Sequence, residues 1–406
     1  MSKIRILAIS PDTFGVGKFR ILDPYTFLSD KHSDEFHVDI SNGVEQDDSI
    51  FLNYDIVVFH SFIHNAPHEI NVARVNWLKS KGIKVVMDTD DFWIVDRKHP
   101  MYERIKLNDL PRKRAELLRL ADYVSCTTKV YAETIKKRLG VKNIVIFPNA
   151  IDETESQYQP NPIESDKIRF GWLGGSSHLH DIEIMRSGIS TTLTNYGDKV
   201  QFYLCGFDTR GTLTIIDPAT KKTVNRPVKP EETVWFKYEH IFTNNYKVIN
   251  EDYKNYLLKF SQEETYDATN EQYVRVWTQP VTKYANNYNN FDVSLAPLLS
   301  NDFNMNKSQL KAIEAGFHKK ALIASETLPY TLDLVNSIDQ GKFTDGNALL
   351  VSHSKNHKQW AQHMKRLIDN PNMIEDLGNR LYETVKDTYS LRNVTLNRVE
   401  FFKSII

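Results

Sequence analysis

Two short apolar runs, each opening into a glycine-bearing loop, constrain this chain more than anything else in it. The first covers 4–9, with Ile4, Ile6, Leu7, Ala8 and Ile9, and leads to Gly15 and Gly17. The second covers 168–173, with Ile168, Phe170, Trp172 and Leu173, and leads directly to Gly174 and Gly175. Apolar runs of this length are the pattern of strands buried on both faces of a parallel sheet. After the first, strand-like runs recur at 37–40, 54–60, 84–87, 123–126 and 144–147, with helical stretches at 69–81, 110–120 and 129–139. After the second come 200–206, 291–298, 320–325 and 348–351, then amphipathic helical stretches at 357–369 and 373–388. Strands alternating with helices predict a parallel sheet covered on both faces, and the repeated start predicts two such units. The expected class is α/β, with two doubly wound domains.

A chain of 406 residues has room for both. A polar, proline-bearing stretch without apolar period divides them, giving a first domain at 1–152, a linker at 153–167 and a second domain at 168–385. From about 207 to 283 the alternation blurs into a stretch rich in Tyr, Trp, Asn and charge, which predicts an insertion on the second domain. The formal net charge of −1 gives no global basic field of the kind nucleic-acid binders show, although a local basic groove would be compatible with it. Cys126 and Cys205 lie in apolar, strand-like settings and fit buried thiols in a reducing compartment. There is no Cys/His spacing for zinc. The chain runs straight into its first strand with no leader pattern, and no apolar run approaches the ~20 residues that span a bilayer, so the expected location is the cytoplasm. Peripheral membrane contact is compatible with this.

Ligands of such sheets gather at the carboxyl ends of strands, so the loops there carry the candidate chemistry. Gly15, Gly17 and Lys18 follow the first strand. Asp12 stands where a Walker loop needs its first glycine, Phe19 replaces the Ser/Thr after the lysine, and the three-glycine dinucleotide fingerprint is missing. ATP and NAD motifs are therefore excluded. Two glycines still let backbone N–H groups approach a substrate, against the plain alternative of a tight turn. Asp88, Asp90 and Asp91 follow a buried strand beside Trp93. Like charges this close raise at least one pKa, which suits a general base; a hard cation or a helix cap are the competing readings. His60 ends another strand and is a candidate to assist an acceptor, against a structural role.

In the second half, Gly174, Gly175 and Ser176 offer free amides as a diphosphate cradle. The stretch 304–316 predicts the first turns of a helix, with asparagines as N-caps and Leu310 and Ile313 as its apolar stripe. On that helix Lys307, Lys311 and Glu314 would share nearly one face, suited to a nucleotide diphosphate and its ribose; the bland alternative is a solvated i,i+4 ion pair.

Several fragments together resemble a known family: Asp88-Thr89-Asp90-Asp91 after a strand, Pro148-Asn149-Ala150 before the linker, GWLGGSSHLHD from Gly171 to Asp181, and KSQLKAIEAG from Lys307 to Gly316. They look like the GT-B glycosyltransferases of the GT4-like group, in an order that covers most of the chain. The loop from Gly15 to Phe19 is similar, locally, to that of phage α-glucosyltransferases that modify DNA. The resemblance implies two Rossmann-like domains facing across a cleft, the second holding a nucleotide sugar and the first an acceptor, with 386–406 as a helix returning to the first domain. It implies that Glu314 binds the ribose hydroxyls and that Gly174, Gly175, Ser176, Lys307, Ser308 and Lys311 surround the diphosphate of a UDP-sugar. Gly15, Gly17, Lys18 and His60 would then face the acceptor. Transfer would retain anomeric configuration, with no metal or other cofactor required. Two departures stand out: Asn306 occupies the place of the family's first glutamate, and no Arg/Lys pair follows the mid-chain glycines. The implied acceptor is a bacterial glycan or lipid-linked sugar. A hydroxymethylated pyrimidine in phage DNA, a nucleotide-sugar epimerase and a non-catalytic sugar-binding module are the other classes the pattern admits.

Overall fold

The computed structural model describes residues 3–42, 48–64, 66–208, 211–216, 223–243 and 271–406. The first six strands are β1 (Ile4–Ile9), β2 (Phe36–Ser41), β3 (Ile56–His60), β4 (Lys84–Thr89), β5 (Tyr123–Cys126) and β6 (Ile144–Ile146). They form one parallel sheet in the order β2-β1-β3-β4-β5-β6. Side chains alternate across it with the period of two that a strand imposes. Val57, Val85 and Met87 pack beneath helices that bring Val75, Leu78, Leu117 and Ile135. Ile6, Ala8, Val58 and Val86 face the other way, onto Ile21, Tyr25 and Leu28.

The second sheet is built from β7 (Ile168–Leu173), β8 (Val200–Phe207), β11 (Tyr273–Trp277), β12 (Val293–Ala296), β13 (Ala321–Ser325) and β16 (Leu349–Val351). It is also parallel, in the order β11-β8-β7-β12-β13-β16. Small hairpins, β9 (Thr212–Ile216) with β10 (Thr223–Pro227) and β14 (Ile338–Asp339) with β15 (Lys342–Phe343), stand outside it. The strand order reverses beside β1 in one sheet and beside β7 in the other. Each reversal opens a crevice at the carboxyl ends of the strands, and these are the places where the two glycine loops lie. The fold is two Rossmann-like domains facing across a cleft.

The stretch expected as an insertion contributes to the second domain itself. The helix Val234–Phe242 lays Trp235, Tyr238, Ile241 and Phe242 into its core, and β11 is its edge strand. Within 207–283, residues 209–210, 217–222 and 244–270 lie outside the described residues. The last helix, Leu391–Ile405, leaves the second domain and places Val399, Phe402 and Ile405 against the first sheet. Where it crosses, Ile151 N–H donates to Tyr389 O at 2.9 Å and Leu391 N–H donates to Ile151 O at 2.7 Å, so the two connections between the domains run side by side.

One buried charge pair locks the glycine loop of the first domain to its sheet. Arg20, in the turn of π-helix Lys18–Leu22, reaches β4: its Nε and Nη2 donate to the two oxygens of Asp88 at 2.9 and 2.7 Å. Arg20 Nη1 donates to Phe147 O at 2.6 Å and to Asn149 Oδ1 at 3.0 Å, and Ser125 Oγ donates to Asp88 at 2.5 Å. Both side chains are almost fully enclosed, at 1% and 4% exposure. Such a pair offsets its own desolvation only when every lone pair and N–H is used, and removing one partner strands a charge. Asp88→Ala is expected to lose about 3–5 kcal/mol of stability, and Arg20→Met with Asp88→Leu together distinctly less. Urea unfolding checks this; a single variant within about 1 kcal/mol of wild type would contradict it.

Candidate active site

The donor side begins at the end of β7. A Cβ on Gly174 would lie 2.6 Å from the Trp172 ring and 2.9 Å from Lys311 Nζ, so no larger residue fits there. Gly175 has open space around it, and Ser176 is exposed. Lys311 folds under this loop: its Nζ donates to Leu173 O and sits 5.1 Å from the centre of the Trp172 ring. Burial pulls its ammonium down to about 8.

The single helix expected at 304–316 is two. Asp302–Met305 is one turn, capped by Asn301, whose Oδ1 accepts from Asn304 N–H at 2.9 Å; Leu310–Phe317 is the next. Asparagine side chains make the break, because they compete for backbone groups that a continuous helix would use. Asn304 Nδ2 donates to Leu299 O at 3.0 Å, and Asn306 Nδ2 donates to Asp302 O at 2.6 Å. Lys307 and Ser308 therefore lie in the break rather than on the face of Lys311 and Glu314. Lys307 is half-buried, 4.7 Å from the Phe303 ring centre, and among the described residues it has no carboxylate at ion-pair distance. Ser308 Oγ accepts from Asn149 Nδ2 at 2.9 Å, a bond between the domains. Glu314 is buried, which raises its pKa, and its carboxylate accepts from the hydroxyls of Tyr284 and Tyr288.

The acceptor side is the carboxyl end of β3 and β4. Asp88 is committed to Arg20. Asp90 Oδ1 accepts from His60 Nε2 at 2.9 Å. Burial works against its charge, but His60, Arg20 and Arg114 hold its carboxyl down at about 2. For Asp91 burial and the neighbouring Asp90 charge act together and push it up to about 6, against Lys307 from the opposite domain. Arg114 stacks 4.0 Å over the Trp93 ring and faces both carboxylates. The loop with Gly15 and Gly17 is folded by Asp12, whose Oδ1 accepts from Phe14 N–H and Gly17 N–H at 2.8 and 2.9 Å. A Cβ on Gly17 would meet Asp12 O, whereas Gly15 is open. Lys18 does not join the acidic strand end: it is buried between Asp23 and Glu155, at 2.7 Å from each.

A cavity of about 210 Å³ adjoins these groups, lined by Asp96, Lys98 and His99 from the first domain and by His180, Asp181 and Lys307 from the second; Asp90, Asp91, Gly174 and Gly175 are not in its lining. His180 Nε2 donates to Lys98 O at 3.1 Å across it, and at its rim Arg138 pairs with Asp302 at 2.9 Å. Reading the sequence missed Arg20, Arg114 and the pair His178–Asp181. The last pair had a signal, since the two stand at i and i+3 at a helix start. His178 Nδ1 and Asp181 Oδ2 are 2.9 Å apart, and Asp181 Oδ1 accepts from Leu299 N–H and Asn304 Nδ2. Burial, helped by Lys307, lowers His178 to about 4. Among the described residues no group of three His, Cys, Asp or Glu is placed to hold a metal ion.

The raised Asp91 carboxyl makes stability depend on pH. An acid whose folded pKa is raised binds its proton more tightly when folded, so its contribution is present below the unfolded value of 3.8 and is lost as pH rises through about 6. The stability gain of Asp91→Asn over wild type should therefore be larger at about pH 7 than at about pH 4, by urea unfolding at each pH. An advantage that shrinks with rising pH would refute this.

No protein-family model matches the chain, and no curated protein matches it by sequence. Solved structures do match. A sucrose-phosphate synthase from Thermosynechococcus elongatus superposes with a TM-score of 0.61 at 11% identity, covering 99% of each chain. HepE of Anabaena, solved with UDP-glucose, gives 0.61 at 9% identity over 99% of this chain and 100% of its own. An α-glucosyltransferase solved with UDP-glucose and DNA containing an abasic site gives 0.60 at 10% identity, again over 99% and 100%. At such identities the likeness is one of architecture, and it extends over nearly the full length of each partner. The chain has the two-domain GT-B fold of these glycosyltransferases.

Proposed function

We propose that the chain is a glycosyltransferase that moves a sugar from a nucleotide-diphosphate sugar, foremost a UDP-sugar, to a hydroxyl of a bacterial glycan or lipid-linked sugar, with retention of configuration, in the cytoplasm. The observation that carries the reading is Lys307. It is a half-buried cation without an ion-pair partner among the described residues, it lies in a helix break, and it interacts across the cleft with Asp91. A diphosphate between Lys307 and the open Gly175–Ser176 loop would supply the missing anion, with Lys311 beneath the loop as a second cation. As the bond from sugar to phosphate breaks, negative charge grows on the diphosphate, and fixed cations there lower the barrier. Glu314 would take the ribose hydroxyls. On the other wall, Asp90 and Asp91 orient the acceptor, while Asp88 supports the wall through Arg20. In this reading 1–152 is the acceptor domain and 168–385 the donor domain, joined through 153–167, with 386–406 returning to the first. The two neighbours solved with UDP-glucose support the choice of donor.

A second acceptor, a hydroxymethylated base in DNA, is favoured by the neighbour of equal length solved with DNA. It requires binding that falls steeply with salt, and no binding to duplex at low salt would remove it. The central test is a thermal-shift panel of nucleotide sugars. UDP-glucose at about a hundred times its Kd should contribute about 2.7 kcal/mol and raise Tm by a few degrees. Lys307→Ala and Glu314→Ala should lose that rise. If no nucleotide or nucleotide sugar stabilises the wild-type protein, the reading fails.

A further inference from the structure

His60 is held from both sides. Its Nε2 lies 2.9 Å from Asp90 Oδ1, an oxygen that can only accept while the carboxylate is ionised, so that nitrogen carries the proton. Nδ1 is then the lone-pair nitrogen, and Ser61 Oγ donates to it at 2.7 Å. Hydroxyl, imidazole and carboxylate stand in line, the arrangement that makes a hydroxyl a proton carrier. The backbone adds an independent sign. Ser61 has φ of 73°, in the left-handed region that disfavours a side chain, and β-branching or glycine would have been the extremes of cost and ease there. A strained serine at the end of a buried strand is the kind of outlier that gathers at functional sites. His60 ends β3 directly opposite Asp88 in register, on a strand that borders the crevice beside β1; Ser61 is 7% exposed and the residue after it, Phe62, is 37% exposed.

We propose that Ser61, His60 and Asp90 form a proton relay at the acceptor site, with Ser61 Oγ as the group that meets the acceptor hydroxyl. This rests on the glycosyltransferase reading and gives the acceptor wall its working atom. As the acceptor oxygen bonds to the anomeric carbon, its proton passes to Ser61 Oγ while the proton of Ser61 passes to His60 Nδ1. The bond from the anomeric carbon to the phosphate oxygen breaks, and its electron pair leaves with the diphosphate. The imidazolium so formed keeps its Nε2–H on Asp90, whose negative charge offsets the new positive one. Asp91 and Arg114 also face this group, with opposite signs. The relay does not set the anomeric outcome, which depends on the side from which the acceptor oxygen approaches.

The test uses UDP-glucose as donor, with ethanol or trifluoroethanol as acceptor. Ser61→Gly removes the hydroxyl and relaxes the strained φ, so it should fold at least as well as wild type and bind UDP with unchanged Kd. Its kcat with ethanol should fall about 10²-fold. With the more acidic trifluoroethanol the deficit should shrink several-fold, because that proton needs less help to leave. His60→Gln should show the same pattern. Retention of kcat within about twofold in Ser61→Gly, or an equal deficit with both alcohols, overturns the relay while leaving the donor site intact. If wild type neither binds UDP nor turns over UDP-glucose, the donor reading itself is what falls, and the relay with it.

Discussion

The Arg20–Asp88 pair is the constraint on which the rest of the molecule depends. Two charges enclosed together are tolerable only if the guanidinium and the carboxylate are well supplied with hydrogen bonds, and the partners that achieve this come from separate parts of the chain. β4 gives Asp88, β5 gives Ser125, and the segment leaving β6 gives Phe147 O and Asn149. Asn149 then passes the restraint across the cleft, since its other side-chain atom donates to Ser308, next to Lys307. A satisfied polar chain of this sort has one geometry and few alternatives. It ties the wall that would present the acceptor to the break that would hold the donor phosphate.

The architecture was legible because it is periodic. Buried parallel strands announce themselves as runs such as 4–9 and 168–173, and the second glycine start marked the second domain before any contact was known. The helix near 304 was not legible in the same way, since asparagines serve equally as caps and as breakers, and which one they become depends on Leu299 and Asp302 nearby. Lys18 looked like a ligand-binding lysine because its neighbours are glycines. Its partner Glu155 lies 137 positions away, and no local pattern reveals such a pairing. Arg20 was hidden for the same reason. Ser61 was hidden for a different one, because its part depends on a backbone angle. Asp88, Asp90 and Asp91 were visible as one cluster, but its division was not: Arg20 takes Asp88, while the His60 contact on one side and burial beside Asp90 on the other pull Asp90 and Asp91 in opposite directions.

The contacts that close the cleft are uneven. Near the linker they are buried and apolar, with Phe19 of the first domain seated in the core of the second, edge-on to Tyr284 at 6.5 Å. Farther out they are thin: His180 to a carbonyl, His99 edge-on to Phe303 at 4.9 Å, and the exposed pair of Arg138 and Asp302. Exposed pairs of this kind contribute about 0–1 kcal/mol. The mouth is therefore held by far less free energy than the root.

The two chain crossings at Ile151 and Leu391 set how the domains are joined. A single tether would let one domain swivel about the other. Two adjacent tethers, bonded to each other through Tyr389, Ile151 and Leu391, restrain that swivel. The paired crossings thus fix one edge of the cleft, and from that edge Lys307 is held toward the carboxyl ends of β3 and β4.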